Sequence, residues 1–349
     1  MKQRIKYALN GLFLTQKLSG VQRYAVEIVR ELDKMCSGIV VVIPMNAKIE
    51  TQISLNRISI IRYGKHQGRK WENIDFFHFL NFNNAIGINL CNTAPLLNPG
   101  IVVIHDVGYK KRKEIRELGG NRAKLVFRHI QNKVYCRFAK KVITVSQFSK
   151  DEIKKFYYVG NGDISVVRSA WQHYKRIDET EFKVKDTRIV KGNYYFALAN
   201  LSDHKNFQWI LQEALINPDD IFVIAGGTNP RYFNFSIDFD LIANVIYVGR
   251  ISDQEAKAYM KNCKAFIFPS LYEGFGLPPL EALSVGANII ISDIPAHREV
   301  FENSATYINP RQYSYKLSEL NYPNNQDKNR VLEKYSWKES ARLLNDLLK

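Results

Sequence analysis

The chain reads as two doubly wound α/β domains, and three observations carry that reading. Short apolar runs alternate with helical patterns from end to end. The alternation breaks once, across a polar, aperiodic stretch between Trp171 and Gly192. At 349 residues the chain is also too long for one ordinary core. Alternation of this kind builds parallel sheets covered by helices on both faces. One domain is therefore expected over residues 1–172 and a second over 190–335, with a final helix, 336–349, returning towards the first.

In the first half the candidate strands are Ile5–Leu9, Ile39–Ile43, Ile58–Arg62, Phe76–Leu80, Ile101–His105, Val142–Val145 and Ile164–Val167. The N-terminus is charged and then apolar, but the apolar run is short and interrupted by Asn10, so it reads as a first strand and not as a leader. Helical patterns cover Val21–Met35 and Asn121–Ala139. In the latter, Val126, Ile130, Val134 and Phe138 stand four apart, which predicts one apolar stripe with the arginines and lysines off it. Ser149-Lys150-Asp151-Glu152 has the Ser-x-x-Glu pattern of a helix start. After the polar stretch, strands are expected at Tyr194–Ala199, Ile221–Ala225, Val245–Val248, Ala265–Phe268, Ile289–Ser292 and Thr306–Ile308. Ser252-Asp253-Gln254-Glu255 and Ser336-Trp337-Lys338-Glu339 repeat the Ser-x-x-Glu start.

Composition narrows the class. Apolar content of 46% with 24% charged residues is that of a soluble globular protein, and no window is apolar for long enough to span a bilayer. Four cysteines (Cys36, Cys91, Cys136, Cys263) are scattered without paired spacing, which fits a reducing, cytoplasmic setting. The net charge is +16, and it is concentrated: twelve lysines and arginines lie between Lys110 and Lys141 against Glu114 and Glu117. Such a segment faces anionic lipid, nucleic acid or water. Aromatic residues are not interleaved with these lysines as single-strand binders require, which argues against nucleic acid.

The densest chemical signal follows the apolar run Ala265–Phe268. There Glu273-Gly274-Phe275-Gly276-Leu277-Pro278-Pro279-Leu280-Glu281 combines a glycine turn with paired prolines suited to a helix start. Strand, glycine turn and helix N-terminus gather N–H groups around one point, and the helix dipole makes that point attractive to a phosphate. A carboxylate on each flank suggests a diphosphate joined to a sugar on one side and a ribose on the other.

This block resembles the Glu-x7-Glu signature of the retaining glycosyltransferases of family 4, which have the GT-B fold: two Rossmann-like domains facing a central cleft. The resemblance covers most of the second half, from about Phe196 to Pro310, and is patchier in the first. It implies that Glu273 binds the hydroxyls of the transferred sugar, that Glu281 binds the ribose, and that Gly274, Phe275, Gly276 and Leu277 meet the donor phosphates. The family also places a lysine after the first strand of the second domain to neutralise the leaving diphosphate, and Lys205 stands there. Its usual arginine partner is replaced by His204 or Asn200, so His204 is expected to supply the second phosphate contact. By the same resemblance Gly20, in Ser19-Gly20-Val21, opens a helix towards the donor, with Gly11 a weaker candidate. Gly226 and Gly227 let the backbone approach the nucleotide, and Val248 and Arg250 lie beside the base. His105, at the end of a buried strand, contacts the sugar or its acceptor. Asp106 orients that imidazole or caps the next turn, and Ser146 faces the cleft. Ser169-Ala170 departs from the Asn-Gly turn usual in the family.

No Asp-x-Asp pair or His/Cys cluster has metal-ligand spacing, and no Gly-x-Gly-x-x-Gly follows a first strand. The resemblance therefore implies a metal-independent enzyme without a cofactor, taking a nucleotide-sugar as co-substrate. It would move a hexosyl unit to a hydroxyl of a glycan acceptor, lipid-linked in view of the basic segment, at the cytoplasmic face of an anionic membrane. A non-catalytic sugar-nucleotide binder, a GT-B epimerase and a nucleic-acid-binding protein are the alternatives.

Overall fold

A computed structural model describes residues 5–111, 122–160, 162–198, 202–227 and 242–349. They gather into two compact units. Unit 1 is drawn from residues 1–109, 119–169 and 336–349, and unit 2 from 110–118 and 170–335.

Unit 1 is built on seven parallel strands: β1 (Tyr7–Asn10), β2 (Ile39–Ile43), β3 (Ser59–Arg62), β4 (Ile86–Asn89), β5 (Ile101–Val103), β6 (Lys141–Thr144) and β7 (Ser165–Val166). Their order in the sheet is β3-β2-β1-β4-β5-β6-β7. β2 and β5 are buried along their length, which is why they read as unbroken Ile/Val runs. The helices are α1 (Gly20–Met35), α2 (Gly68–Trp71), α3 (Phe77–Phe82), α4 (Arg122–Phe138) and α5 (Gln147–Phe156). Unit 2 has six parallel strands: β8 (Tyr194–Leu198), β9 (Ile221–Ala225), β10 (Val245–Gly249), β11 (Ala265–Phe268), β12 (Ile289–Ser292) and β13 (Thr306–Ile308), in the order β10-β9-β8-β11-β12-β13. Its helices are α6 (Phe207–Ile216), α7 (Asp253–Asn262), α8 (Leu277–Ser284), α9 (Pro295–Phe301) and α10 (Asn325–Lys334). The last helix, α11 (Trp337–Leu348), belongs to unit 1, where Trp337 meets Tyr24 edge-on and Ser340 Oγ donates to the Arg168 carbonyl at 2.7 Å.

Helix starts follow local chemistry. Ser252 caps α7 in a full capping box with Glu255, and Ser336 accepts from the Glu339 N–H at the head of α11. The start expected at Ser149 lies three residues earlier: Ser146 is the cap, its Oγ accepting from the Ser149 N–H at 3.0 Å. The expected strand Phe76–Leu80 is helical. A π turn, Glu72–Phe76, joins α2 to α3 without a break, and Trp71, Phe76, Phe79 and Leu80 fill one core cluster from that helix. A short apolar run fits either element, and here tertiary packing chose the helix. The strand that pairs with β1 is instead β4, whose glycine and asparagine hid it.

Three of the four α4 stripe residues face outward, while Val134 packs against the core. Val126, Ile130 and Phe138 are 58%, 49% and 64% exposed, with Lys133 and Arg137 on the same outward face. The buried face holds Gln131, Asn132, Tyr135 and Cys136. It tolerates polar groups because they are paired: Tyr135 Oη donates to the Ala94 carbonyl at 2.8 Å and accepts from Gln131 Nε2 at 3.0 Å. Residues 112–121 of the basic segment lie outside the described residues.

Candidate functional site

Topology locates the site in unit 2. β8 pairs with β9 on one side and β11 on the other, so the chain leaving β8 and the chain leaving β11 part at the carboxyl ends of neighbouring strands. Open α/β sheets bind ligands at such a switch point. Lys205 follows β8 and Glu273 follows β11, and the fold brings them together: Lys205 Nζ donates to Glu273 Oε1 at 2.5 Å, with both side chains largely buried.

Lys205 sits in a tight turn, Asp203–Lys205, that ends at Asn206 in the left-handed region (φ 54°) before α6 begins. The turn is anchored at both ends. Asn206 Nδ2 donates to the Pro269 and Pro310 carbonyls, and the Leu271 N–H donates to the His204 carbonyl at 2.7 Å. Lys205 Nζ also lies 4.8 Å from the Phe268 ring centroid, a cation–π distance. Burial alone would push the Glu273 carboxyl up. The charge of Lys205, with that of His204, outweighs it and holds Glu273 below its ordinary value. The His204 ring takes a contact with Ser202 Oγ at 3.2 Å.

The glycine turn behaves as its residues require. Gly276 has φ 99°, and a Cβ there would come within 3.1 Å of Phe301 and 3.4 Å of His297 Nε2. Pro278 and Pro279 fall in the first turn of α8 and carry no N–H, so the donors at this helix start come from Phe275 to Leu277. Glu281, one turn on, is 8% exposed and accepts from His173 Nε2 at 2.8 Å.

Sequence reasoning missed two residues of this cluster. His173 lies in the stretch read as a connector, where nothing periodic marks it. The chain there forms a short turn, Gln172–Arg176, that buries His173 beneath Glu281. His297 lies in the first turn of α9 and is fully buried. Its Nδ1 donates to the Ser292 carbonyl at 2.9 Å, since a carbonyl can only accept. Burial pushes its pKa down to about 4 against the pull of Glu273, so the ring is neutral.

Other expected donor contacts are placed differently. Gly226 spends its backbone on the sheet: its N–H donates to the Gly249 carbonyl at 2.9 Å, and its carbonyl accepts from Tyr247 Oη at 2.8 Å. Gly227 is exposed beyond it, Val248 is half-buried in β10, and Arg250 is exposed. Asn200 and the chain from 228 to 241 lie outside the described residues.

In unit 1, Gly20 is the exposed first residue of α1. Gly11 has a packing reason instead: a Cβ there would sit 2.5 Å from the Val42 carbonyl oxygen. His105 is buried, its Nε2 donating to the Leu90 carbonyl at 2.8 Å and its ring edge-on to Tyr24 at 4.9 Å. Burial lowers its pKa. Asp106 caps the next turn by accepting from the Gly108 N–H at 2.8 Å. Ser146 is wholly buried as the α5 cap, and does not stand open to a ligand. Among the described residues no cluster of three or more His, Cys, Asp or Glu is placed to hold a metal ion.

Residues 178–317 match the family described as Glycosyl transferases group 1, and that range contains Lys205, Glu273 and Glu281. The chain is 30% identical over 225 residues to the O-antigen chain mannosyltransferase RfbU of Salmonella typhimurium, covering 63% of this chain and 59% of that protein. It is 28% identical over 217 residues to an N,N'-diacetylbacillosaminyl-diphospho-undecaprenol alpha-1,3-N-acetylgalactosaminyltransferase of Campylobacter jejuni, covering 58% and 57%. The matches thus span under two thirds of either relative. Among solved structures, sucrose-phosphate synthase from Thermosynechococcus elongatus superposes with a TM-score of 0.70 at 14% identity, over 98% of this chain and 97% of that one. Anabaena HepE in complex with UDP-glucose gives 0.64 at 12% identity, over 98% and 99%. The chain therefore has the GT-B fold of glycosyltransferases, and its segment 178–317 carries a domain like that of the group 1 enzymes.

Proposed function

We propose that the protein is a retaining glycosyltransferase that moves a hexosyl unit from a nucleotide-sugar to a hydroxyl of a glycan acceptor in surface polysaccharide assembly. The observation that carries this reading is the Lys205–Glu273 pair at the switch point between β8 and β11, with Glu281 held by His173 one helical turn beyond the glycine loop. The mannosyltransferase named among the relatives favours a hexosyl donor.

The roles follow from charge. As the bond from the anomeric carbon to the diphosphate breaks, negative charge grows on the phosphate oxygens, and Lys205 with the Phe275–Leu277 amides offsets it. Glu273, ionised beside Lys205, accepts sugar hydroxyls. Glu281 accepts the ribose hydroxyls, its carboxylate fixed by His173. The acceptor oxygen attacks from the face the phosphate leaves, and a departing phosphate oxygen takes its proton. Configuration is retained without a covalent enzyme intermediate. With the cation supplied by Lys205, transfer is expected to survive chelation by EDTA. A thermal-shift panel of UDP-, GDP- and dTDP-hexoses tests the donor site: a ligand at a hundred times its dissociation constant adds about 2.7 kcal/mol. Binding without transfer to any glycan would indicate a sugar-nucleotide sensor, and no shift with any donor would refute the reading.

We also propose that the protein docks on the cytoplasmic leaflet. No helix among the described residues is long and apolar enough to cross a membrane. The outward row Val126, Ile130 and Phe138, with Lys133 and Arg137 among it, has the character of a face that lies in a headgroup layer. Flotation with anionic vesicles at low salt should carry the protein, and Ile130→Glu should leave it in the soluble fraction. Equal flotation of both would remove α4 from the contact.

A further inference from the structure

Apart from residues 110–118, unit 2 begins at Ala170 and ends at Tyr335. Its two ends are bonded to each other. Trp171 Nε1 donates to the Leu332 carbonyl at 2.8 Å, and Gln172 Nε2 donates to the Tyr335 carbonyl at 2.6 Å. Each end also reaches one flank of the glycine turn. His173 holds Glu281, and the Tyr335 ring stands edge-on to the Phe275 ring, with centroids 5.3 Å apart and planes at 86°. Phe275 and Tyr335 are both buried.

The Tyr335 ring is itself fixed. Its Oη donates to the Val300 carbonyl of α9 at 3.2 Å, and His297 and Phe301 of the same helix lie against Gly276. The end of α9 is strained: Glu302 has φ 46° and ψ −116°, a conformation that glycine favours. Two contacts hold it there. Tyr307 Oη donates to the Glu302 carbonyl at 2.7 Å, and Lys334, the neighbour of Tyr335, pairs with the Glu302 carboxylate. Strain of this kind persists only where the surroundings over-determine the backbone. The end of α10 therefore sets two things at once: the position of Phe275 in the turn, and the seating of α9 against Gly276.

The turn offers its ligand main-chain N–H groups, and these have no rotamers to adjust. Their direction is decided by how the side chains of the loop are locked by packing. Phe275 is such a lock. An edge-on aromatic pair has a preferred geometry besides its buried area, so it fixes orientation where an aliphatic contact only fills space.

We propose that Tyr335 is a positioning residue for the proposed donor site: through Phe275 it aims the amides of the glycine turn, and through Gln172 it is tied to the segment that carries His173. The inference rests on the glycosyltransferase reading above. Calorimetric titration of the full chain with UDP-, GDP- and dTDP-hexoses identifies a donor and gives its Kd in each variant. Tyr335→Leu should raise that Kd about three- to tenfold, the effect of losing an aromatic pair beyond its area. Tyr335→Phe keeps the edge contact and should stay within about twofold of the wild type. Gln172→Ala, at a half-buried position, frees the Tyr335 carbonyl without opening the core and should raise Kd about twofold or more. Val331→Ala empties a buried position of the same helix and is the control: it should melt earlier, as Tyr335→Leu does, with Kd unmoved. In transfer assays KM should follow Kd while kcat moves less. A Kd unchanged in both Tyr335→Leu and Gln172→Ala, or raised equally by Val331→Ala, overturns the inference. Should Tyr335→Leu fail to fold, Gln172→Ala against Val331→Ala decides it by the same criterion. A wild type that binds none of the donors refutes the donor reading itself, a result that no comparison among the variants can mimic.

Discussion

Replacing Lys205 by methionine separates the catalytic from the structural meaning of its pairing with Glu273. The two side chains are 17% and 13% exposed, and their charged atoms are 2.5 Å apart. Removing one partner of a buried pair costs about 3–5 kcal/mol, because the other charge is left desolvated. The residual exposure puts Lys205→Met near the lower end, about 3 kcal/mol. For a domain of this size 1 kcal/mol moves Tm by ~2–4 °C, so unit 2 should melt ~6–12 °C earlier. The double variant Lys205→Met/Glu273→Gln removes both charges and should regain most of that loss. Activity should not follow. Without the cation, transfer should fall ~10²–10³-fold in the single variant and stay down in the double. Calorimetry on the four proteins gives the coupling energy, and a glycosyl-transfer assay gives the rates. Additive stability effects, within ~0.5 kcal/mol, would show that the pair is not an energetic unit. A double variant that recovers transfer as well as stability would show that Lys205 only balanced Glu273.

Other consequences are simpler to check. His297 has a pKa near 4 in the folded protein against about 6.5 in an unfolded chain, so its contribution is full above pH ~6.5 and is lost as pH falls towards 4. That limb amounts to up to ~3 kcal/mol, and urea titrations across this range should show it flattened in His297→Gln. Glu281→Gln should raise the KM for nucleotide-sugar with a smaller effect on kcat, and His173→Ala should shift KM the same way. An unchanged KM in both would remove the ribose role. Gly11→Ala forces a Cβ to 2.5 Å from the Val42 carbonyl and should cost unit 1 ~1–3 kcal/mol or more, read by thermal melts, with donor affinity unmoved.

The amino-acid sequence by itself determined the class of architecture and the centre of the proposed donor site. Buried parallel strands must be apolar along their length, so β2, β9, β11 and β12 could be bounded to the residue. A glycine turn after a strand and before prolines constrains the backbone locally, so the Glu273–Glu281 loop announced itself. Ser-x-x-Glu starts are likewise local, and both Ser252 and Ser336 cap as their spacing required.

Only the tertiary structure decided what depends on residues distant in the chain. Helix α4 shows Val126, Ile130 and Phe138 outward and the amides inward, because Tyr135 finds its partner in the loop carrying Ala94 and Gln131 donates in turn to Tyr135, and no periodicity contains that fact. His173 reaches Glu281 across 108 positions, and Glu72 meets Asn10 across 62, through contacts that exist only once each sheet has formed. Short-range preferences specify where strands and turns occur. The pairing of a buried charge is a property of the packed fold, since only there does desolvation make one partner worth more than another.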